Sequence, residues 1–329
     1  MKKVLICGAS GFMGRNIADS FLKSKKYKVY GVGNSRTVSN INDYETFYSC
    51  DLTTHEGIDH VFKRSNLTYD IVIQAAATTS GSKDIIERPY LHVTDNAVMN
   101  SLMLQACYDN HVGHFLFLSC GVMYNPERTP VTEKDFYLDE EIFKNYFGVG
   151  WTKVYVEKMC EFFSRLGRTK HTAIRHSNTY GPYDKYDLEK SHMFGATIAK
   201  IMTAKEGDEI SVWGDGTTER DLLYVDDVID FIHLAIGRQK KMYDLFNVGM
   251  GSSFSVNEIV KKIIYYSGKN LTMKNDLTKP SINTKLAFNS KKAKDLLGWE
   301  PKISLDEGIK KTLLWYNDYY VDNMDIENV

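Results

Sequence analysis

The chain reads as an α/β protein: a doubly wound parallel sheet with a smaller α/β lobe on its C-terminal side. Three observations predict this. Short β-branched and aromatic runs alternate with helical periodicity through the first half of the chain. The first such run ends in a turn with a glycine at every third position, which opens onto an amphipathic stretch. After about Asn178 the alternation gives way to a mixed pattern. Alternation of this kind builds a parallel sheet covered on both faces by right-handed crossovers.

The elements follow in order. Lys3–Cys7 is the first strand, and Gly8-Ala9-Ser10-Gly11-Phe12-Met13-Gly14 is the turn. The first glycine permits a tight turn, the second lets backbone N–H groups approach a diphosphate, and the third lets helix and strand pack closely. The helix that follows, Phe12–Leu22, turns its positive N-terminal end toward the bound anion. Strand, glycine turn and helix in that order predict a Rossmann-like dinucleotide site, against the alternative of an ordinary structural βα turn. Further strands are expected at Lys28–Val32, Thr46–Cys50, Asp70–Gln74, Phe115–Ser119 and Thr172–His176. Helical patterns run over Ile58–Lys63, Asp84–Asp109 and Asp139–Leu166. Late helices are announced by two capping boxes, Ser255-Val256-Asn257-Glu258 and Ser304-Leu305-Asp306-Glu307. Residues 1–177 with about 222–250 are expected to form the dinucleotide domain, and 178–221 with 251–329 the second lobe.

Composition bounds the function. With 329 residues, 43% hydrophobic, 25% charged and a net charge of −1, the chain can bury a large core. It carries no basic band that would suit nucleic acid or an anionic membrane. The five cysteines (Cys7, Cys50, Cys107, Cys120, Cys160) lack metal-ligand spacing and read as reduced thiols of a cytoplasmic protein. No signal peptide, spanning segment or metal site is expected.

After the second strand, dinucleotide folds usually place a carboxylate on the adenosine ribose. Here the turn is Gly33-Asn34-Ser35-Arg36. Arg36 suits a 2′-phosphate and Asn34 a free ribose, so the turn alone leans slightly to NADP. Asp51-Leu52 follows the third strand, and Ala75-Ala76-Ala77 follows the fourth, where small residues let a cofactor lie against the sheet edge or simply allow tight packing.

Taken together, the glycine turn, Asp51-Leu52, Ala75-Ala76-Ala77, Asn96, Asn178-Thr179-Tyr180-Gly181-Pro182, Val225-Asp226-Asp227 and Leu297-Gly298-Trp299-Glu300-Pro301 resemble the extended short-chain dehydrogenase/reductases that modify nucleotide sugars. The likeness covers almost the whole chain. Two stretches are most similar to the GDP-fucose synthase branch: Tyr180–Asp184 running on to Ser191-His192, and Val212–Asp221.

The resemblance implies roles. Gly8, Ser10, Gly11, Phe12, Met13, Gly14, Asn34, Ser35, Arg36, Asp51, Leu52, Ala75, Ala76, Ala77, Asn96, Lys153 and His176 would hold the cofactor, with NAD favoured over NADP. Thr79, Tyr124, Asn178, Ser191, His192, Met193, Trp213 and Arg220 would hold a GDP-sugar, Arg220 gripping the diphosphate bidentately unless it pairs with Glu219 or Asp221. The family's chemistry uses Tyr-x-x-x-Lys on a helix, the tyrosine exchanging a proton with a sugar hydroxyl. In Val149-Gly150-Trp151-Thr152-Lys153 the lysine is present and the tyrosine is valine. Tyr186–Lys190 and Tyr265–Lys269 repeat the spacing outside that helix and are read as coincidence.

Cys120 stands at the family's Ser/Thr position. Gly121 and Val122 stand where dehydratases carry acids, so dehydration is not expected. Val122 also replaces the cysteine base of GDP-fucose synthases, whose partner histidine matches His192. By elimination the expected reaction is hydride transfer alone, with Cys120, Lys153, His192 and Ser119 as catalytic candidates. The pattern is most similar to the branch that oxidises C4 of GDP-D-glycero-α-D-manno-heptose for capsule synthesis. Such an enzyme would shed its hydride to a second small carbonyl substrate and would form a homo-oligomer. A GDP-4-keto-sugar epimerase/reductase and a catalytically silent binding protein are the alternatives.

Overall fold

The computed structural model describes residues 1–34, 38, 40–63, 67–79, 88–126, 129–139, 141–188, 191–279 and 284–320. The described strands, in chain order, are β1 (Lys2–Cys7), β2 (Tyr27–Gly33), β3 (Thr46–Ser49), β4 (Ile71–Gln74), β5 (His114–Cys120), β6 (Lys170–His176), β7 (Asn178–Tyr180), β8 (Glu209–Trp213), β9 (Glu219–Arg220), β10 (Leu222–Tyr224), β11 (Tyr243–Val248), β12 (Phe254–Ser255) and β13 (Thr272–Asp276). The described helices are α1 (Phe12–Ser24), α2 (His55–Phe62), α3 (Thr94–Asp109), α4 (Phe147–Arg165), α5 (Met193–Thr203), α6 (Val225–Arg238), α7 (Val256–Ser267), α8 (Lys291–Leu297) and α9 (Leu305–Trp315).

Seven strands form one parallel sheet in the order β11-β6-β5-β4-β1-β2-β3. The order reverses between β1 and β4, where crossovers change face and a crevice opens at the carboxyl edge. Its central strands β1, β4 and β5 are largely apolar on both sides because both sides are covered. In β1, Val4 and Ile6 enter one core while Leu5 and Cys7 enter the other. The six expected strands are all present, each within about two residues of its expected ends.

Two helical expectations were too long. The pattern from Asp84 to Asp109 becomes a 3-10 turn at Pro89–His92 followed by α3, with residues 80–87 outside the description. Pro89 lacks the N–H that a helix interior needs. The pattern from Asp139 begins as a helix only at Phe147, after a 3-10 turn at Lys144–Tyr146.

Beyond β6 the chain builds the smaller part from two-stranded sheets, β10-β7, β12-β9 and β13-β8, with α5, α7 and α9. Both caps form. Ser255 and Glu258 exchange the two bonds of a full capping box, and Ser304 accepts from the Glu307 N–H. Two family-like motifs turn out to be partners. The Trp299 indole donates to the Asp227 carbonyl at 2.9 Å, and the Asp227 carboxylate accepts from the Lys302 and Ile303 amides at 2.9 and 3.1 Å. All five cysteines are free, and no described helix is long and apolar enough to cross a membrane.

Candidate active site

A cleft of about 1480 Å³ lies along the carboxyl edge of the sheet. That exceeds the roughly 300–1,000 Å³ of a single small-molecule site and leaves room for two ligands side by side. One wall is the sheet edge, lined by Gly8, Ser10, Gly11, Phe12, Met13, Asn34, Asp51, Leu52, Ala75, Ala76 and Ala77. The other comes from the smaller part, with Asn178, Ser191, His192, Met193, Trp213 and Arg220.

The glycine turn fits a diphosphate. Gly8 has φ +75°, and a Cβ there would stand 2.7 Å from the Ala76 backbone. A Cβ on Gly14 would stand 2.0 Å from the Gly8 carbonyl, so the helix approaches the strand only because that atom is missing. Gly11 caps α1 without any side-chain hydrogen bond, which leaves the first amides of the helix facing the cleft for an anion. Gly14 itself lies behind the cleft rather than in its lining. Asn96 likewise acts from behind: it accepts the Thr78 amide at 3.1 Å and donates to the Thr78 and His92 carbonyls, holding the loop that carries Thr79. Asn34 lines the cleft, whereas Ser35 and Arg36 lie outside the described residues.

Lys153, on α4, donates from Nζ to the Leu118 carbonyl at 2.9 Å. Burial pushes its ammonium down, and the neighbouring Cys120 and Glu157 pull it back up. Cys120 ends β5. Burial pushes its thiol up, opposed by Lys153 and by a hydrogen bond from the Val122 amide. His176 also faces the cleft and is pushed down to about 4 by burial, despite its bond at 2.9 Å to the Ser177 carbonyl. Val149 and Val122 both line the cleft and offer no proton-transferring group. Gly121 is required sterically, because a Cβ would meet the Phe288 ring at 2.1 Å.

Two expected residues have their polar atoms engaged elsewhere. The Ser119 hydroxyl is fully buried and donates to Glu157 at 2.6 Å, so it is not free to relay a proton through water. The Tyr124 hydroxyl donates to Asn247 at 2.6 Å and accepts from Arg175 at 2.8 Å, which leaves its ring rather than its oxygen for a substrate. His192 stands at the N-cap of α5, open to the cleft; desolvation by the cleft walls, then Lys185 and His92, push its imidazole down. Ser191 holds the same loop, donating to the Lys185 carbonyl at 2.7 Å.

Arg220 answers the question of its partner. Among the described residues no carboxylate pairs with it: Glu219 takes Lys285 and Ser253, and Asp221 takes the Met250, Gly251 and Phe288 amides. Its NH1 group donates to the Glu219 carbonyl at 2.9 Å and to the Thr284 hydroxyl. The rest of a half-buried guanidinium faces the cleft, and burial pushes its pKa down, as expected for a cation awaiting an anion. Trp213 is 46% exposed, with the Lys200 and Lys279 ammonium groups 5.7 and 5.9 Å from its ring centre. It is a surface platform rather than core.

Several lining residues lay outside the sequence expectations, Tyr146 and Asp184 among them. Tyr146 immediately precedes the helix of Lys153 as its N-cap, and Asp184 was visible only as part of a motif. Spacing to Lys153 is the signal that points to Tyr146: seven residues return to the same helical face.

The model of the NAD dependent epimerase/dehydratase family matches residues 4–249. The chain is 30% identical to GDP-L-colitose synthase of Yersinia pseudotuberculosis, over 95% of this chain and 97% of that protein. It is 28% identical to GDP-L-fucose synthase of Azorhizobium caulinodans, over 96% of each. Among solved structures it is similar to UDP-glucose 4-epimerase with UDP-glucose from Thermotoga maritima, with a TM-score of 0.81, 28% identity and coverage of 97% and 99%.

Proposed function

This chain belongs to the NAD-dependent epimerase/dehydratase family, and from that premise we propose that it exchanges hydride between NAD and a ring carbon of a GDP-sugar. NAD is the family's cofactor; when bound, it accepts or returns a hydride at its nicotinamide. The observation that carries the reading is Arg220, paired with no carboxylate among the described residues, across one cleft from a glycine cradle, two anion-binding groups in a space large enough for two ligands.

The residues divide the work. Gly8, Ser10, Gly11, Phe12 and Met13 would hold the cofactor diphosphate, Asp51 and Leu52 its adenosine end, and Ala75–Ala77, His176 and Lys153 its nicotinamide end. Arg220 and Asn178 would hold the diphosphate of the sugar nucleotide and Trp213 its base. We accordingly assign 1–177 with about 222–250 to the cofactor and 178–221 with 251–329 to the nucleotide sugar. The names of the two curated relatives, synthases of GDP-L-colitose and GDP-L-fucose, favour a GDP-sugar, and the family's name favours epimerase-type chemistry, as an epimerase/reductase of a keto sugar would perform.

A second reading, oxidation at C4 of GDP-D-glycero-α-D-manno-heptose, rests on one specific observation. Val122 lines the cleft at the position where the resemblance to GDP-fucose synthases implies a cysteine base, which favours hydride transfer without inversion. Neither curated relative above is named for a heptose.

One experiment separates these. Purified protein with NAD or NADH is given GDP-, UDP- and dTDP-sugars and a GDP-4-keto sugar, in deuterated water, while reduced nicotinamide is followed by absorbance. The proposal expects an absorbance change with GDP compounds only. Deuterium at C3 or C5 of the product selects the epimerase/reductase, and its absence selects simple hydride transfer. Binding of GDP-sugars with no absorbance change in either direction would mean a silent binding protein and overturn the proposal.

A further inference from the structure

We propose that Tyr146 is the phenol that exchanges the proton of the sugar hydroxyl, one helical turn ahead of the position where Val149 stands. The inference rests on the redox reading above and names the group that completes it.

Position comes first. Tyr146 ends the 3-10 turn Lys144–Tyr146 and is the N-cap of α4, with its amide bonded to the Phe143 carbonyl at 2.8 Å. Tyr146, Val149 and Lys153 are spaced i, i+3 and i+7, which returns to one helical face, and all three line the cleft. The ring is anchored on its apolar side. It packs on the cluster of Met123, Ile142, Val154 and Phe288, with the Phe143 ring centre 6.0 Å away.

The hydroxyl is placed differently from those of Ser119 and Tyr124. Among the described residues it makes no hydrogen bond, and its electrostatic neighbours are the Arg220 guanidinium on β9 and the Cys120 thiol on β5. A half-buried phenol that lines the cleft, with no hydrogen bond among the described residues and with Arg220 and Cys120 as its electrostatic neighbours, is available to whatever the cleft holds.

The step balances. As a sugar C–OH becomes C=O, the C–H bonding pair leaves as hydride to NAD, giving NADH, and the O–H proton passes to the Tyr146 phenolate and on to water. In the reverse direction the phenol returns that proton to the oxygen as the carbon gains its hydride. Burial pushes the phenol up while Arg220 pulls it down. The phenol is therefore protonated at neutral pH, ready to donate, and sugar oxidation gains from rising pH.

The test uses the full chain, NAD and the GDP-sugar that gives an absorbance change. Tyr146→Phe keeps the ring and removes the oxygen. Its single-turnover rate is expected to fall by about 10²–10⁴-fold, while GDP binding by calorimetry stays within about threefold. The wild-type oxidation rate should climb with pH, and the variant's should not. Val149→Tyr in the wild-type background should gain less than about tenfold, since the phenol's task is already met. A Tyr146→Phe rate within about twofold of wild type, an unchanged pH profile, a collapse of GDP binding, or a larger gain from Val149→Tyr would each overturn the inference while leaving the redox reading standing. A wild-type protein inert with every sugar would overturn both.

Discussion

Arg175 on β6 and Glu157 on α4 form a bidentate pair with 3% of each side chain exposed, Nε to Oε1 at 3.0 Å and NH2 to Oε2 at 2.6 Å. The Ser119 hydroxyl adds a third bond to the same carboxylate, and Tyr124 links Arg175 onward to Asn247 on β11. Four elements that shape the cleft floor are thereby tied together one helical turn below Lys153.

Breaking one side of that pair strands a buried charge. Glu157→Gln should destabilise the fold by about 3–5 kcal/mol, whereas replacing both partners by Leu and Met should cost far less. Urea unfolding of the two variants checks this. Equal losses in the single and double replacements would mean that the pair's packing matters and its charge does not.

Gly14→Ala forces a methyl to within 2.0 Å of the Gly8 carbonyl, a backbone atom that cannot swing aside. Helix α1 must move off β1, at a cost of about 1–3 kcal/mol, and its first amides leave the cradle. Both the unfolding midpoint and the thermal stabilisation by NAD should fall. A variant that keeps full stabilisation by NAD would show that the helix end does not hold the diphosphate.

Arg220→Met tests the other end of the cleft. Losing one charge-assisted, bidentate anchor is worth about 1.5–3 kcal/mol, or roughly 10- to 150-fold in GDP affinity at 1.4 kcal/mol per tenfold. NAD binding should be untouched, since Arg220 belongs to the opposite wall. Calorimetry with GDP and with NAD gives both numbers, and equal weakening of the two ligands would point to lost structure instead.

Much of this architecture was legible because strands buried on both faces leave an unmistakable apolar run, as in Val4–Cys7 and Phe115–Leu118. The seventh strand, Tyr243–Val248, was harder to read. It is interrupted by Asp244, which pairs with Lys292, and by Asn247, which serves Tyr124, so its polar residues are explained only by distant partners. The ends of α3 and α4 were hidden for a similar reason, since 3-10 turns continue helical periodicity without continuing the helix. In the site, the glycine cradle and Lys153 are local patterns and could be found by spacing. The engagement of Ser119 by Glu157, and the lack of a hydrogen bond at the Tyr146 oxygen among the described residues, depend on contacts across the fold, and no window of sequence displays them.

Acid should unfold the protein earlier than its carboxylates alone require. Burial pushes His114 down to about 3 and His171 and His176 to about 4, from an ordinary 6.5, so all three stay neutral in the folded state while the unfolded chain takes up protons below about 6.5. The unfolded state then binds more protons, and stability falls as pH drops from 6.5 toward 4. Asp184 works with the opposite sign. Burial pushes its carboxyl up to about 7 from 3.8, so the folded state binds the extra proton, and that contribution fades as pH rises from about 4 through 7. The two effects are separable by substitution. His114→Gln, which can keep a bond to the Thr172 hydroxyl (now 2.7 Å from the His114 ring), should flatten the acid limb of a melting-temperature profile. Asp184→Asn should raise the melting temperature above pH 7 and leave it nearly unchanged below pH 4. Profiles that run parallel to wild type in both variants would show that neither burial governs the pH response.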